Sequence, residues 1–369
     1  MCIIAGYTGE KRAAPILIEM LKKTEYIDGG LSTGIATIHE GKLYMRKVVG
    51  DVDTLLRETD AIDLPGTTGI IHSRTGGDHV ECAHPFLSDD GELALVSNGT
   101  SWGCANLEFM EAQNKRMNDF YDRGIKIRSA VKKIEPAPGN RYIKTGYAYH
   151  VAEPYALIVG DKVKDSAPDA MRDDMAVAMR EALEEFPVDV INLALHARLP
   201  ETITVCAVTR PMAIGIGKGE VYMCTAPFGL PENVTRGSVF FTPPTTVLQV
   251  TPKGVEIRST DFVDTRVEQI DFRTAKEVRT RLEGLLKVGE ENAIDLYDIP
   301  FYTEWDEIWA APMVDSKYVL ENSRLKPVGP ALYEGLWSFY KEGRLRMKLG
   351  TRTTFSGKES KIMKFWLDH

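Results

Sequence analysis

The residue with the most chemistry to offer is Cys2. Once Met1 is removed, a single residue carries both a thiol and a free α-amine, and the amine can serve as the base. An α-amino group titrates near ~8 and a lysine amine near ~10, so only the former accepts a proton well at neutral pH. It can take the thiol proton, directly or through a water, and leave a nucleophilic thiolate. The opposing reading is a small apolar residue in a buried first strand, because free cysteine is commonly buried. Further polar residues sit at the ends of apolar runs. His72-Ser73-Arg74 leads into a glycine-rich loop and Ala83-His84-Pro85-Phe86, and the run from Leu93 ends in Asn98-Gly99. By itself Asn-Gly is the strongest short signal for a hairpin turn. An arginine at a strand end equally suits a salt bridge. His72, His79 and His84 cluster in sequence, but no partnered Cys or Asp spacing recurs, so no metal is expected. The glycines at 215, 217 and 219 lie between two strands with no helix to offer its N-terminus to a phosphate.

These residues need elements to hold them. Cys2 to Tyr7 reads as a buried strand, followed by a helix from Pro15 to about Lys23. Thr33 to Thr37 and Lys42 to Val49 read as a hairpin. Gly69 to His72, Leu93 to Ser97 and Thr202 to Thr209 read as inner strands. Met212 to Ile216 with Val221 to Cys224, and Val247 to Val250 with Val255 to Ile257, form later hairpins. Two helices, roughly Asn106 to Tyr121 and Asp169 to Glu185, lie between them. Many strands with helices between make a layered α+β domain. From about Val263 the texture changes to an amphipathic helix over Thr274 to Val288 and a Pro- and aromatic-rich stretch. A last helix carries Leu332, Leu336, Phe339 and Tyr340, and a basic run with an expected turn near Ser356-Gly357 follows it. The tryptophans of this part, Trp305, Trp309, Trp337 and Trp366, suit core or subunit contacts.

At 369 residues the chain exceeds what one core comfortably fills, so a main domain over 1–262 and an appendix over 263–369 are expected. A net charge of -8 argues against nucleic acid or an anionic membrane as the main partner. The five cysteines, Cys2, Cys82, Cys104, Cys206 and Cys224, form no Cys-x-x-Cys pair, which fits a reducing cytoplasm. Neither a signal peptide nor an apolar run of the ~20 residues needed to span a bilayer is read. A soluble cytoplasmic protein without a cofactor is expected, its oligomeric state open, a homo-oligomer included.

Taken in order, the motifs resemble a known family. Met-Cys-x-Ile-x-Gly-Tyr, His-x-Arg with a loop and Ala-His-Pro, then Asn-Gly, are shared with the class II (N-terminal-nucleophile) glutamine amidotransferases, in particular the glutaminase domain of glucosamine-6-phosphate synthase. Arg210 to Glu220 and Val250 to Ile257 resemble later hairpins of that domain, so the likeness covers roughly residues 2–260. It implies a four-layer αββα Ntn-hydrolase fold with a smaller helical or α+β C-terminal appendix. Cys2 would attack a carboxamide and form a γ-glutamyl thioester, with ammonia released. The Asn98 side-chain amide and the Gly99 N–H would form the oxyanion hole. Arg74 would grip the substrate's α-carboxylate through its bidentate fork. The loop carrying Thr75, Gly76 and Asp78 would bind substrate.

The chain also departs from the family. An Asp-Thr-Glu segment there supplies the aspartate that holds the glutamine α-ammonium. Here one alignment puts a lysine of Ser129 to Lys133 at that position and another puts Val151. The aromatic loop after the conserved arginine becomes Arg74-Thr75-Gly76-Gly77-Asp78, and Asp28 or Asp78 could supply the carboxylate from a new direction. The last 105 or so residues are too few for the synthase's sugar isomerase domain, so an ammonia acceptor is expected in the tail or in a partner protein. Three readings compete: a glutaminase or amidotransferase subunit, an amidohydrolase for another amide, and an inactive binding or scaffold relative.

Overall fold

The structure, a computed structural model, describes residues 2–100, 107–186, 189–208, 210–235, 239–260, 272–299, 328–353 and 359–368. The expected boundary at Val263, and Cys104, Trp305, Trp309 and Ser356-Gly357, lie outside the described residues.

Two antiparallel sheets stack face to face. The first runs β13 (Val239–Phe241), β11 (Ala213–Gly217), β12 (Glu220–Cys224), β1 (Ile3–Thr8), β4 (Thr68–Arg74), β2 (Ser32–His39), β3 (Lys42–Val49). The second runs β15 (Gly254–Thr260), β14 (Thr246–Thr251), β10 (Ile203–Ala207), β9 (Asp189–His196), β6 (Leu93–Thr100), β5 (Phe86–Leu87). Ile4, Ile70, Val96, Leu193 and Val205 meet between the sheets. On the outer face of the first sheet, Ile3, Ala5 and Tyr7 pack on α1 (Ala13–Thr24) through Leu17 and Leu21. On the outer face of the second, Leu93 and Leu95 pack under α4 (Glu153–Val163) and α5 (Met171–Glu185). Alternate residues of β1 thus enter different cores, the period-2 signature of a strand buried on both faces. Three cores between four layers make this an αββα Ntn-hydrolase fold of α+β class.

The hairpins read from sequence are present, with Val250 opposite Val255 and Thr33 opposite Val48. Among the elements that were not read are α2 (Val52–Glu58), α4 and β9. In α4 nearly every residue is buried, so it has no polar stripe to set a 3.6-residue rhythm. β9 lies at the centre of its sheet and alternates little for the same reason. Asn98-Gly99 is not a turn: both lie inside β6, opposite Ile191 and Val190. α3 (Leu107–Asp122) follows β6, and β7 (Lys132–Lys133) pairs with β8 (Tyr147–Ala148) near the surface.

A single turn, α6 (Glu232–Thr235), precedes β13, and C-terminal to β15 come α7 (Phe272–Leu285), α8 (Val328–Lys341) and a hairpin of β16 (Leu345–Thr353) and β17 (Glu359–Leu367). Leu282, Leu332, Leu336, Phe339 and Phe365 join the α1-side core. Trp337 is buried, stacked on Tyr340 and edge-on to Phe228.

Candidate active site

Strand register brings the candidate residues together. β1 and β4 run antiparallel with Ile3 opposite Ser73, so Cys2 sits where Arg74 and Thr75 leave the sheet. The second sheet supplies Asn98 from the end of β6. The Cys2 backbone nitrogen, the atom that becomes the α-amine, donates to Asn98 Oδ1 at 2.8 Å. The Thr75 backbone N–H bonds the thiol. Asn98 is fully buried, and its Nδ2 has no hydrogen-bond partner among the described residues. A buried amide N–H left without a partner is costly, and a free donor on the side chain that also bonds Cys2 is what anion stabilisation can use.

Burial pushes the Cys2 thiol pKa up, reinforced by Asp28 and offset in part by the Thr75 N–H and Arg74. The resting group is a thiol, so its reaction needs a base next to it. The nitrogen bonded to Asn98 is in that place.

Ser97, the residue before Asn98, is held by histidines. His72 Nε2 donates to Ser97 O at 3.1 Å, and the Ser97 N–H donates to His84 Nδ1 at 3.2 Å. The His72 and His84 rings stack at 3.9 Å, His150 meets His84 edge-on at 5.1 Å, and Phe86 stacks on His150. Burial drives the His72 pKa down to about 3 and those of His84 and His150 well below the ordinary value. All three are neutral at pH 7 and act as packed aromatic rings with one directed hydrogen bond each. His150 was not singled out in the sequence, since nothing local marks it as belonging with His72 and His84. His79 lies apart, beside Asp78 at the surface.

The loop after β4 is fixed on one side. Ser32 Oγ donates to Gly76 O at 2.9 Å, and Gly77 has φ +130°, where a Cβ would also meet Ser32. Arg74 Nη1 donates to Cys82 O at 3.2 Å. Asp78 points its carboxylate outward, with a side chain 75% exposed. Lys132 and Lys133 are exposed on β7, and Val151 is half-buried beyond β8. A carboxylate does lie near Cys2: Asp28, only 3% exposed, whose Oδ1 accepts from Tyr297 Oη at 2.6 Å. Beside it a cavity of about 330 Å³ is lined by Tyr26, Asp28, Thr75, Tyr297, Arg352 and Lys361 among others. Cys2, Asn98, Gly99, Arg74, Thr75 and Gly76 therefore gather at one end of the two sheets, and Asp78 stands off at the rim.

No protein-family model matches the chain. Curated proteins do: the glutamine–fructose-6-phosphate aminotransferase (isomerizing) of Pyrococcus horikoshii is 29% identical over 228 residues, covering 61% of this chain and 32% of that protein. The enzyme of the same description from Thermus thermophilus is 28% identical over 311 residues, 82% of this chain and 44% of its own length. The chain is a homologue of these enzymes over the part that it shares with them. It spans well under half the length of these amidotransferase relatives. A solved structure described as the allosteric regulatory enzyme of purine biosynthesis superposes with a TM-score of 0.50 at 15% identity, over 76% of this chain and 57% of that one, and shares the fold. Among the described residues no helix is long and apolar enough to cross a membrane.

Proposed function

We propose that the chain hydrolyses a primary carboxamide, with the side chain of glutamine as the leading candidate, through a thioester at Cys2. The observation that carries this is the 2.8 Å bond between the Cys2 nitrogen and Asn98 Oδ1, with the partnerless Nδ2 of the same side chain next to it. After removal of Met1 the α-amine takes the thiol proton. The thiolate then attacks the amide carbon, and the carbonyl oxygen becomes an oxyanion held by Asn98 Nδ2 and the Gly99 N–H. Collapse breaks the C–N bond as the amine returns its proton, and ammonia leaves. Water, deprotonated by the same amine, then cleaves the thioester to a carboxylate and the thiol. Arg74 holds the α-carboxylate, and Thr75 and Gly76 flank it.

The relatives' descriptions support glutamine as the amide and an acceptor for the ammonia, in a partner protein or in the 263–369 region, the proposed appendix, whose helices share the α1-side core. A cytoplasmic setting accords with the free thiols of Cys2, Cys82, Cys206 and Cys224. Whether the family's aspartate aligns with the exposed lysines of β7 or with half-buried Val151, neither accepts an ammonium hydrogen bond, which favours an amide other than free glutamine as the second reading.

Intact mass before and after 6-diazo-5-oxo-norleucine tests the mechanism. Loss of Met1 and a single adduct on Cys2, absent in Cys2→Ala, are expected, with glutamate and ammonia formed from glutamine by the unsubstituted chain only. A chain that keeps Met1 and takes no adduct removes both enzymatic readings.

A further inference from the structure

In the amide-hydrolase reading, Arg74 and Asn98 hold one substrate from two different sheets. Arg74 closes β4 of the first and Asn98 lies in β6 of the second, so no strand ladder fixes one against the other. A glutamine gripped at its carboxylate must still bring its amide oxygen to Asn98 Nδ2, and the span between the two groups decides whether both ends are met. A misplacement of about 1 Å can cost about 10²-fold in rate.

The loop after α3 reaches both sheets, and its hub is Ser129, 1% exposed. The Ser129 carbonyl oxygen accepts from Cys82 Sγ at 3.6 Å, and the Cys82 carbonyl oxygen accepts from Arg74 Nη1 at 3.2 Å. On the other side, Ser129 Oγ accepts from the His150 N–H at 2.7 Å, the His150 ring meets His84 edge-on, and His84 Nδ1 accepts from the N–H of Ser97, next to Asn98. One serine thus stands at the start of two chains of contact, one ending at the guanidinium and the other beside the oxyanion donor. The neighbouring Arg128 adds a further hold, because its Nη1 donates to Leu87 O at 3.2 Å and Ser88 O at 2.8 Å, at the end of the strand that pairs with β6.

Ser129 is in turn held by Glu153, the first residue of α4, whose side chain is fully buried. Glu153 Oε1 accepts from the Arg128 N–H at 2.6 Å, and Oε2 accepts from the Ser129 N–H at 3.0 Å and from the Ser129 hydroxyl. A buried carboxylate is costly unless its oxygens are hydrogen-bonded, and here both are. Each oxygen faces a backbone N–H, so the amide of a glutamine in this place would set its own NH2 against one of them in either orientation.

We infer that Glu153, acting through Ser129, is a positioning residue that sets the span between Arg74 and Asn98. This rests on the amide-hydrolase reading and on the roles it gives those two residues. Glu153 touches neither the substrate nor Cys2 in this scheme; it fixes the loop from which both ends of the site are braced.

The test is steady-state release of glutamate from L-glutamine by the full chain, together with alkylation of Cys2 by iodoacetamide, located by mass spectrometry on the same preparations. Iodoacetamide has no carboxylate to grip and forms no oxyanion, so it reports the thiol alone. Glu153→Gln is expected to raise KM and lower kcat, by about 10²-fold together in kcat/KM, while alkylation of Cys2 stays within about threefold of the unsubstituted chain. Cys82→Ala, which cuts only the branch to Arg74, is expected to raise KM a few-fold with kcat nearly unchanged. A merely structural role would lower kcat at constant KM, because fewer molecules are folded. That result in Glu153→Gln overturns the assignment, as do constants unchanged from the unsubstituted chain or an alkylation rate that changes as far as turnover does. If Glu153→Gln fails to fold, Cys82→Ala carries the test, and an unchanged KM there overturns it. Glutamine turnover by the unsubstituted chain tests the hydrolase reading separately: without turnover both fall, and with turnover but no shift in KM only this assignment does.

Discussion

Replacing Asn98 by alanine removes two functions at once, and the structure gives each a size. Its Oδ1 accepts from the Cys2 nitrogen at 2.8 Å, and loss of one such neutral bond is worth about 1 kcal/mol. Its Nδ2, buried without a partner among the described residues, is the proposed oxyanion donor, and loss of one such donor costs about 3 kcal/mol in the transition state. Together they predict a fall of about 10³-fold in kcat/KM for amide hydrolysis, at about 1.4 kcal/mol per factor of ten. Asn98→Asp keeps an acceptor for the amine but places a carboxylate where an oxyanion forms, so it should lose at least as much. Alkylation of Cys2 by iodoacetamide displaces iodide at an sp³ carbon and develops no oxyanion. Its rate in Asn98→Ala should therefore fall by less than about tenfold, reporting only the misplaced amine. Steady-state release of glutamate and alkylation followed by mass spectrometry measure the two quantities on the same preparation. If turnover stays within threefold of the unsubstituted chain, or if alkylation falls as far as turnover does, Asn98 serves packing and the oxyanion assignment is wrong.

Glu25 is fully buried and titrates near about 7, because desolvation outweighs the bonds it accepts from Ser73 Oγ, Val52 N–H and Thr33 Oγ1. The folded chain holds this proton to a higher pH than the unfolded one, so the associated stability is present below pH ~4.5 and is lost as pH rises through ~7. Glu25→Gln should accordingly gain about 2 kcal/mol relative to the unsubstituted chain between pH 5 and pH 8 in urea denaturation, and parallel pH profiles would contradict this. At Gly34 a Cβ would stand 2.1 Å from the His84 carbonyl oxygen, and backbone atoms cannot swing aside. Gly34→Ala should cost about 2 kcal/mol or more of stability, and it should slow hydrolysis by displacing the histidine that holds Ser97, readable as a lowered thermal midpoint together with a lowered kcat. Arg74→Lys exchanges a fork for a point charge and should raise KM for α-carboxylate amides by about tenfold with kcat nearly unchanged. A change confined to kcat would move Arg74 out of the binding role.

Much of the candidate site was legible in the sequence alone. Cys2 stands out because a thiol and an α-amine on one residue have a chemistry that follows from their pKa values alone. Arg74 and Asn98 stand out because they close apolar runs, and strand ends are where a sheet delivers side chains to solvent or substrate. Strands with strong alternation or β-rich composition, such as the two later hairpins, were also readable. α4 and β9 were not, because an element buried on all sides loses the polar residues that reveal its period.

Other features exist only in three dimensions. Asn-Gly signals a turn in isolation, and only pairing with β9 across eight registered residues makes it a strand end facing Cys2. His150 joins His72 and His84 through packing between segments that share no local pattern. Asp28 and Tyr297 are 269 positions apart, yet they meet because α7, α8 and the β16–β17 hairpin bury their apolar faces on the same core as α1. Residue types determined what reaction this chain could carry out at Cys2. Long-range burial determined which distant segments pack around that end of the sheets, because hydrophobic packing acts without regard to distance along the chain.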